Sequence, residues 1–423
     1  MAARQDRLEV ARTGHEGCER LHGIMVEKRV QVVVAGAGPV GCVATMVLAQ
    51  AGIDVVLLEA GSDCAADMRA STFHAPTLEM LDELGMTERL IERGLKAPIY
   101  HWRDRTTSEI FAFDMAEIAD ATRYPFRIQC EQYYLSRMLA EALEQQPSAE
   151  VLFNHRIVHF DQDDLGVTVQ VETPTAIETI RADYLIGTDG ASSIVRKWLG
   201  VEFDGFTYPE KFLCLTTDVP LEDTLKGLTA VNYVSDPEEW LVLLRVPTMW
   251  RVLLPANDES NEYLVSDAKK NDVFQRLIGR GEDVPTFHRT IYRVHQRVAK
   301  QFQVGRVFLA GDAAHLNNPI GGFGMNSGIH DAFNLTKRLV PVLTGGEDAS
   351  LLTGYDRQRR TITWNFTQRQ TIDNMAMMRG GKGEAHQAMR AKMMALLEND
   401  EERRAYLLRQ AMITSLAEAE QIA

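Results

Sequence analysis

Sulfur chemistry is scarce in this chain. Its 423 residues hold five cysteines, at 18, 42, 64, 130 and 214, with no CxxC and no paired spacing. That argues against a disulfide framework or a structural zinc site, and Cys42 reads as a small core residue of a helix. An excess of positive charge is missing too. Lys and Arg number 45 against 59 Asp and Glu, a formal charge of −14. The balance disfavours nucleic acid and anionic membrane as partners, while leaving room for a local basic pocket. No apolar run reaches the roughly 18 residues of a membrane span. The mixed-charge N-terminus lacks the apolar core of a secretion signal. These absences predict a cytoplasmic protein with no integral membrane contact. No His/Asp/Glu cluster with ligand spacing suggests iron or zinc, so no metal is expected. What remains is an ordinary soluble composition, 45% apolar and 25% charged, at a length that predicts two or three domains.

Val30–Gly61 organises the rest. An apolar run, Val30 to Ala35, enters a turn with glycines at 36, 38 and 41, followed by an Ala- and Val-rich helical pattern. A second apolar run, Ile53 to Leu58, ends at Glu59, 23 residues after the first glycine. This is strand, phosphate-binding turn, helix and strand. Gly36 makes the tight turn, Gly38 lets a pyrophosphate approach the backbone, and Gly41 lets helix and strand pack closely. The helix N-terminus offers unpaired N–H groups to phosphate, and Glu59 can bind ribose hydroxyls. An acid there argues against a 2′-phosphorylated ribose, leaving FAD or NAD.

Residues 1–28 read as a loosely packed lead. Pro76–Gly94 reads as one helix broken at Gly85 or as two short ones, Ile99–Met115 as a hairpin, and 131–147 as a helix stopped by Pro147. Val151–Phe153 starts a parallel strand, and Ile157–Val171 with Thr179–Tyr184 form a meander. A second motif, LIGTDGASSIVRKWLG at 185–200, reads as strand, turn and a helix starting at Ala191 or Ser192. From 201 to about 297 the pattern is strand-rich, with Phe212–Val219, Leu228–Val234, Trp240–Val246 and Arg251–Leu254 as candidates and a helix over Leu264–Leu277. This predicts a largely separate antiparallel sheet over a pocket. A third motif follows Val307–Ala310: the turn Gly311-Asp312, then a loop rich in Asn, Pro and Gly, then a helix from near Met325. Glycines at 321, 322, 324 and 328 let that backbone approach a flat ligand. The tail reads as a helix from about Ser350 to Arg379, a break at 380–383, and a helical region over 385–420. Met389, Met393 and Met394 there are read as packing residues.

The three motifs GAGPVG, IGTDGASSIVR and GRVFLAGDAAHLNNPIGGFGMNSG, in this order, resemble the single-component FAD-dependent aromatic hydroxylases, the para-hydroxybenzoate hydroxylase-like flavoprotein monooxygenases. The likeness spans roughly residues 29–375. It implies an α/β fold: a FAD-binding Rossmann-like domain (29–97, 125–200 and 298–345), an antiparallel-sheet substrate domain (98–124 and 201–297) and a helical C-terminal region (346–423). It further implies that Gly36, Ala37, Gly38, Pro39 and Gly41 hold the pyrophosphate, Glu59 the ribose, and Arg69 the diphosphate side. Gln132 would lie near the flavin and ribityl chain, and Asp189 would shape the FAD and reductant surface with Arg196 as its partner. Asp312 would accept from the ribityl hydroxyls, and Gly324, Met325 and Asn326 would line the pyrimidine edge. Pro319 would stand beside flavin and substrate.

On physical grounds the helix after Gly324 directs N–H groups toward the charge a reduced flavin carries. Arg251 can add a positive group there, or be a surface ion pair. His315 is read as packing or capping the loop, and Asp331 as a packing or capping acid. For the ring, the search centres on Tyr233, the stretch Trp240–Arg251 and the Pro319 loop. Arg245 is a candidate for a substrate carboxylate, set against a plain sheet-surface arginine. The family likeness implies an enzyme that uses NADH or NADPH and O2 to hydroxylate a phenol, aminophenol or aromatic acid through a flavin C4a-hydroperoxide. A related FAD-dependent dehydrogenase, epoxidase or tailoring oxidoreductase, and a non-catalytic FAD-binding protein, are the alternatives. No second nucleotide fingerprint provides a reductant domain, the tail is too short for a thioredoxin-like domain, and the WxWxIP halogenase motif is absent. The long helical tail allows a homodimer.

Overall fold

A computed structural model describes residues 28–66, 70–256, 259–381 and 383–422. The reading of residues 1–28 therefore lies, apart from Lys28, outside the described residues, as does Arg69. The apolar runs of the opening stretch form neighbouring strands, Lys28–Ala35 and Val55–Glu59, joined through the helix Pro39–Gln50. They are buried on both faces, which is why they read as continuous hydrophobic runs. Ala149–Phe153 extends the sheet beyond Val55–Glu59, and Ile177–Gly187 and Val307–Leu309 extend it on the other side. All four pairings are parallel. The predicted meander is present: Arg156–Asp163 and Gly166–Glu172 add antiparallel strands to the outer half of Ile177–Gly187.

A second eight-stranded sheet is antiparallel except where Val231–Ser235 pairs with Ile99–Asp104. The hairpin of Ile99–Asp104 and Ile110–Asp114 thus belongs to it. A three-stranded sheet of Thr72–Phe73, Arg127–Gln129 and Leu95–Ala97 completes the set. The α/β class with a Rossmann-like sheet, a second mixed sheet and a helical C-terminal region is the architecture observed.

Several boundaries differ from expectation. The strand expected at Phe212–Val219 is the end of a fifteen-residue strand, Phe203–Thr217. Gly205, at φ +136°, and Pro209 hid its first half. The pairing register shifts between Thr207 and Lys211, so the proline falls where no ladder N–H is required. The strand His288–Ala299 is missing from the sequence reading because its charged residues mask the alternation of Tyr292, Val294 and Val298. Pro76–Gly94 resolves into two helices, Ala75–Glu83 and Thr87–Arg93, with Gly85 at φ +70° between them. The region read as a helix over Leu264–Leu277 is two, Asn261–Leu264 and Asp267–Ile278, split where Ser266 caps the second. The helix expected from Ala191 or Ser192 starts at Ile194, because Ser193 Oγ accepts from Arg196 N–H as its cap.

The tail helix passes through a π-helical turn, Thr363–Gln368, and the region after it is three helices. These are strapped to the hairpin side of the second sheet by Arg390–Glu109 (2.6 Å), Arg403–Glu117 (2.7 Å) and Arg404–Asp120 (2.8 Å). Met393 and Met389 pack there as expected, but Met394 is exposed and corrects that reading.

Candidate active site

A cavity of about 880 Å³ runs from the glycine turn to the second sheet. At its first end the backbone does the work. Gly36 takes φ +97°, which favours glycine, and its N–H donates to Leu58 O at 2.7 Å. A Cβ on Gly41 would run into Gly36 O and Thr188 Oγ1, so Gly41 is a packing glycine and does not line the cavity. Gly38 is different: nothing lies within 4 Å of where its Cβ would stand, and it faces the cavity. The helix Pro39–Gln50 starts there without a side-chain cap, and Pro39 removes one of the N–H groups that would need a partner. Glu59 lines the cavity with its carboxylate held by Ala37 N–H and Gly61 N–H, both at 2.8 Å. A carboxylate has lone pairs to spare for a ribose diol.

The second and third motifs meet beside this turn. Asp189 caps the helix Ile194–Trp198, accepting from Ile194 N–H (2.7 Å), Val195 N–H (3.1 Å) and Ser193 Oγ (2.5 Å). Its role is to shape the wall it lines. Arg196 donates to Ala191 O and to Ala313 O, each at 2.7 Å, and so ties the GTDG turn to the GDAA turn. Burial lowers its pKa, an effect opposed by Asp189 and Asp312. Asp312 and Gln132, the latter opening the helix Gln132–Leu143, both line the cavity. His315 and Asp331 are structural, as the sequence indicated. Asp331 is buried and accepts from Gly311 N–H (3.0 Å) and Arg359 Nε (2.6 Å), and meets His315 Nε2 at 2.7 Å. Burial alone would raise its carboxyl; the charges of His315 and Arg359 and their hydrogen bonds outweigh that and hold it below the usual range.

The long helix Phe323–Leu343 begins two residues before the expected Met325, because Gly322 sits at φ +74° as its cap residue. No side chain caps it, and its first turn, through Gly324 and Met325, faces the cavity. Asn326 does not line it: its amide clamps His74 N–H (2.9 Å), Thr72 O (2.8 Å) and Gly322 O (2.6 Å). It positions the helix start from behind.

At the far end the wall is a register of side chains. Tyr233, Val242, Leu253 and Cys214 stand opposite one another on four consecutive strands, and Leu244 opposite Arg251 in the next row. All six line the cavity, with Pro319 and Asn317. The side chains of these cross-strand rows are uncharged but for Arg251; Arg293 and His295, on the neighbouring strand His288–Ala299, also line the cavity. Arg251 is 3% exposed, and none of its three guanidinium nitrogens has a hydrogen bond. Glu131, the cap residue before Gln132, comes only to 3.9 Å. Burying a cation this way is costly unless an anionic or acceptor group meets it. Burial raises the Cys214 thiol, keeping it protonated.

The structure corrects Arg245. It alternates to the opposite face from Leu244, stacked over Trp250 at 5.6 Å, and does not line the cavity. Nothing in the sequence singles out Cys214, His295 or Arg127. Glu131, the acid directly before Gln132, was the one local signal available.

These features fit a dinucleotide flavin: an open glycine cradle and an uncapped helix at one end, a second uncapped helix and a guanidinium without a hydrogen bond among the described residues at the other. The family described as "FAD binding domain" matches residues 29–370. The chain belongs to it, as one of the FAD-dependent aromatic hydroxylases. It is 35% identical over 358 residues to para-nitrophenol 4-monooxygenase of Pseudomonas sp. strain WBC-3, covering 82% of this chain and 87% of that one. It is 31% identical to 6-hydroxy-3-succinoylpyridine 3-monooxygenase of Pseudomonas putida, covering 82% and 88%. The crystal structure of p-nitrophenol 4-monooxygenase from Pseudomonas putida superposes with a TM-score of 0.85 at 31% identity, over 91% of this chain and 99% of that one. The protein is thus a FAD-dependent monooxygenase of aromatic compounds, with NADH or NADPH as electron donor. Among the described residues no group of three His, Cys, Asp or Glu could hold a metal ion, and no helix is long and apolar enough to cross a membrane.

Proposed function

We propose that the protein hydroxylates a small phenol or hydroxypyridine carrying an electron-withdrawing or anionic substituent, with p-nitrophenol as the first substrate to try. The observation that carries this reading is Arg251, a buried guanidinium without a hydrogen bond among the described residues, in cross-strand rows whose other side chains are uncharged. Such a site favours a flat ring with one strongly accepting group. The names of the relatives, a nitrophenol and a hydroxypyridine monooxygenase, agree with it.

In this reading Gly36, Gly38 and Pro39 hold the FAD pyrophosphate, Glu59 the ribose, and Gln132 and Asp312 the ribityl chain; Ala37, expected among the first group, is buried off the cavity and gives its N–H to Glu59 instead. The uncapped start of Phe323–Leu343 meets the pyrimidine edge. FAD, when bound, carries electrons from the nicotinamide to O2 and delivers one oxygen atom to the ring, the other leaving as water. The chain's own residues orient and desolvate: Val242, Leu244, Leu253 and Pro319 exclude water from the ring, and Arg251 holds the acceptor group. We assign the ring-binding part to 98–124 and 201–297 and the FAD-binding part to 29–97, 125–200 and 298–345; the hairpin Ile99–Asp114 joining the second sheet supports this. A cytoplasmic setting accords with the free thiols of Cys42, Cys64, Cys130 and Cys214.

The test is NADH and NADPH oxidation by the FAD-loaded protein over a panel of nitrophenols, hydroxypyridines and phenolic acids, with ¹⁸O2 labelling of the product. Stimulated oxidation with label in the ring is the expected result. Oxidation that no phenol accelerates sinks the reading.

A further inference from the structure

Behind the cavity wall lies a second buried cation. Arg127, on the three-residue strand Arg127–Gln129, is 1% exposed and does not line the cavity. No ion pair to a carboxylate reaches it among the described residues. Its guanidinium lies over the Tyr100 ring at 4.1 Å, and Nη1 donates to Tyr233 Oη at 3.3 Å, while Nε has no hydrogen bond. One aromatic ring and one phenol oxygen therefore carry its compensation, an arrangement with a large desolvation cost.

The ring of Tyr233 is fixed independently. Trp102 stacks on it at 4.9 Å, and Tyr100 meets it edge-on at 6.3 Å. With one lone pair of Oη taken by a cationic donor, the hydroxyl keeps its own proton and one lone pair for a further partner. Tyr233 borders the cavity, which makes a ring bound there a candidate for that partner.

We propose that Arg127 is a positioning residue that holds and polarises the Tyr233 hydroxyl, so that Tyr233 donates to the ring oxygen of a bound phenol and favours its ionised form. This deepens, and rests on, the phenol-hydroxylase reading. On binding, the phenol O–H bond breaks, its electron pair stays on the ring oxygen, the proton passes to solvent water, and Tyr233 Oη–H donates to the oxyanion. No electron is gained or lost. The ionised ring is the better nucleophile for oxygen transfer. The other groups facing this hydroxyl are Tyr100 and Tyr406, neutral phenols whose pKa values burial raises. Cys214 stands in the same row of the wall, its thiol likewise held protonated by burial, and Arg251 with Glu131 occupies the next row.

The experiment is a pH titration of 4-nitrophenol bound to the oxidised, FAD-loaded enzyme without nicotinamide, read by the visible band of the ionised phenol. Arg127→Met weakens ionisation of the bound phenol by about tenfold, one unit in its pKa. Tyr233→Phe does the same, the double variant does no more, and Arg127→Lys recovers part of the loss at unchanged FAD content. An unchanged titration in Arg127→Met, or a further shift when it is added to Tyr233→Phe, overturns the proposal. Should Arg127→Met lose FAD, Arg127→Gln, which removes the charge, decides: a titration equal to wild type, with Tyr233→Phe shifted, overturns the proposal, and one shifted toward that of Tyr233→Phe supports it. Wild-type enzyme that binds no 4-nitrophenol overturns the substrate reading and this proposal together; wild-type binding with no effect of Arg127 overturns this proposal alone.

Discussion

The two ends of the cavity are built by different means. At the glycine turn the recognising groups are backbone: N–H donors at a helix start, a glycine with open space over it, and one carboxylate fixed by two further N–H groups. At the other end, apart from the uncapped start of Phe323–Leu343, the backbone is tied up in the sheet ladder, and the cavity is lined by the side chains of cross-strand rows. The first kind of site tolerates almost no added volume. The second tolerates changes of side chain and is where substrate preference can vary on an unchanged scaffold.

The sharpest way to break this contrast is at the glycines. Gly41→Ala pushes a methyl group into Gly36 O, and we expect a loss on the order of 3 kcal/mol with little FAD retained, read by urea unfolding and flavin absorbance. Gly38→Ala meets no protein atom, so apoprotein stability should stay within about 0.5 kcal/mol while FAD affinity falls at least about tenfold. Equal stability losses in both variants would remove the distinction between packing and cradle glycine. At the other end, Arg251→Met should keep FAD bound and lower kcat/KM on the order of 100-fold; steady-state kinetics with p-nitrophenol decide it.

A smaller effect concerns the helix Phe323–Leu343 that serves both ends. His330, on that helix, is buried beside Thr77 Oγ1 (3.0 Å), and burial depresses its pKa to about 3. Its unfolded value is about 6.5, so the unfolded chain binds the extra proton between these limits. Stability is complete above pH 6.5 and drains away as pH falls toward 3, by about 2 kcal/mol at pH 5 from this group. His330→Gln should flatten that slope in thermal melts. Smallest of all, Arg245→Met, on the far face of the sheet, should alter kcat/KM by less than about twofold; a larger drop would return Arg245 to the site.

The glycine end was legible because its parts are close in sequence: spacing alone places Gly36, Gly38, Gly41 and Glu59. Even so, the division of labour between Gly38 and Gly41 needed only the fingerprint, whereas Asn326 was read as lining when it clamps from behind. The ring end was half legible. Tyr233, Arg251 and Pro319 were picked out, yet which face each residue takes depends on pairing between strands as far apart as Tyr233 and Trp102, 131 residues, and a register slip of one inverts every side chain. Arg245 was misplaced for that reason. Arg127 was invisible because a three-residue strand has no periodicity, and nothing local marks a cation that will be buried.

The loop carrying Pro319 is held from outside the cavity. Asn318 Nδ2 donates to Thr371 O at 2.8 Å, Gln368 Nε2 to Leu316 O at 2.9 Å and Asn374 Nδ2 to Ile320 O at 3.2 Å, and Gln410 reaches back to Asn374 at 3.1 Å. The family match ends at 370, so three of these fastenings involve residues beyond it. A mutational library restricted to the cavity wall would leave this harness untouched. Asn374 and Gln410 do not line the cavity, so the C-terminal helices brace the loop that carries Pro319 without contributing a side chain to the wall.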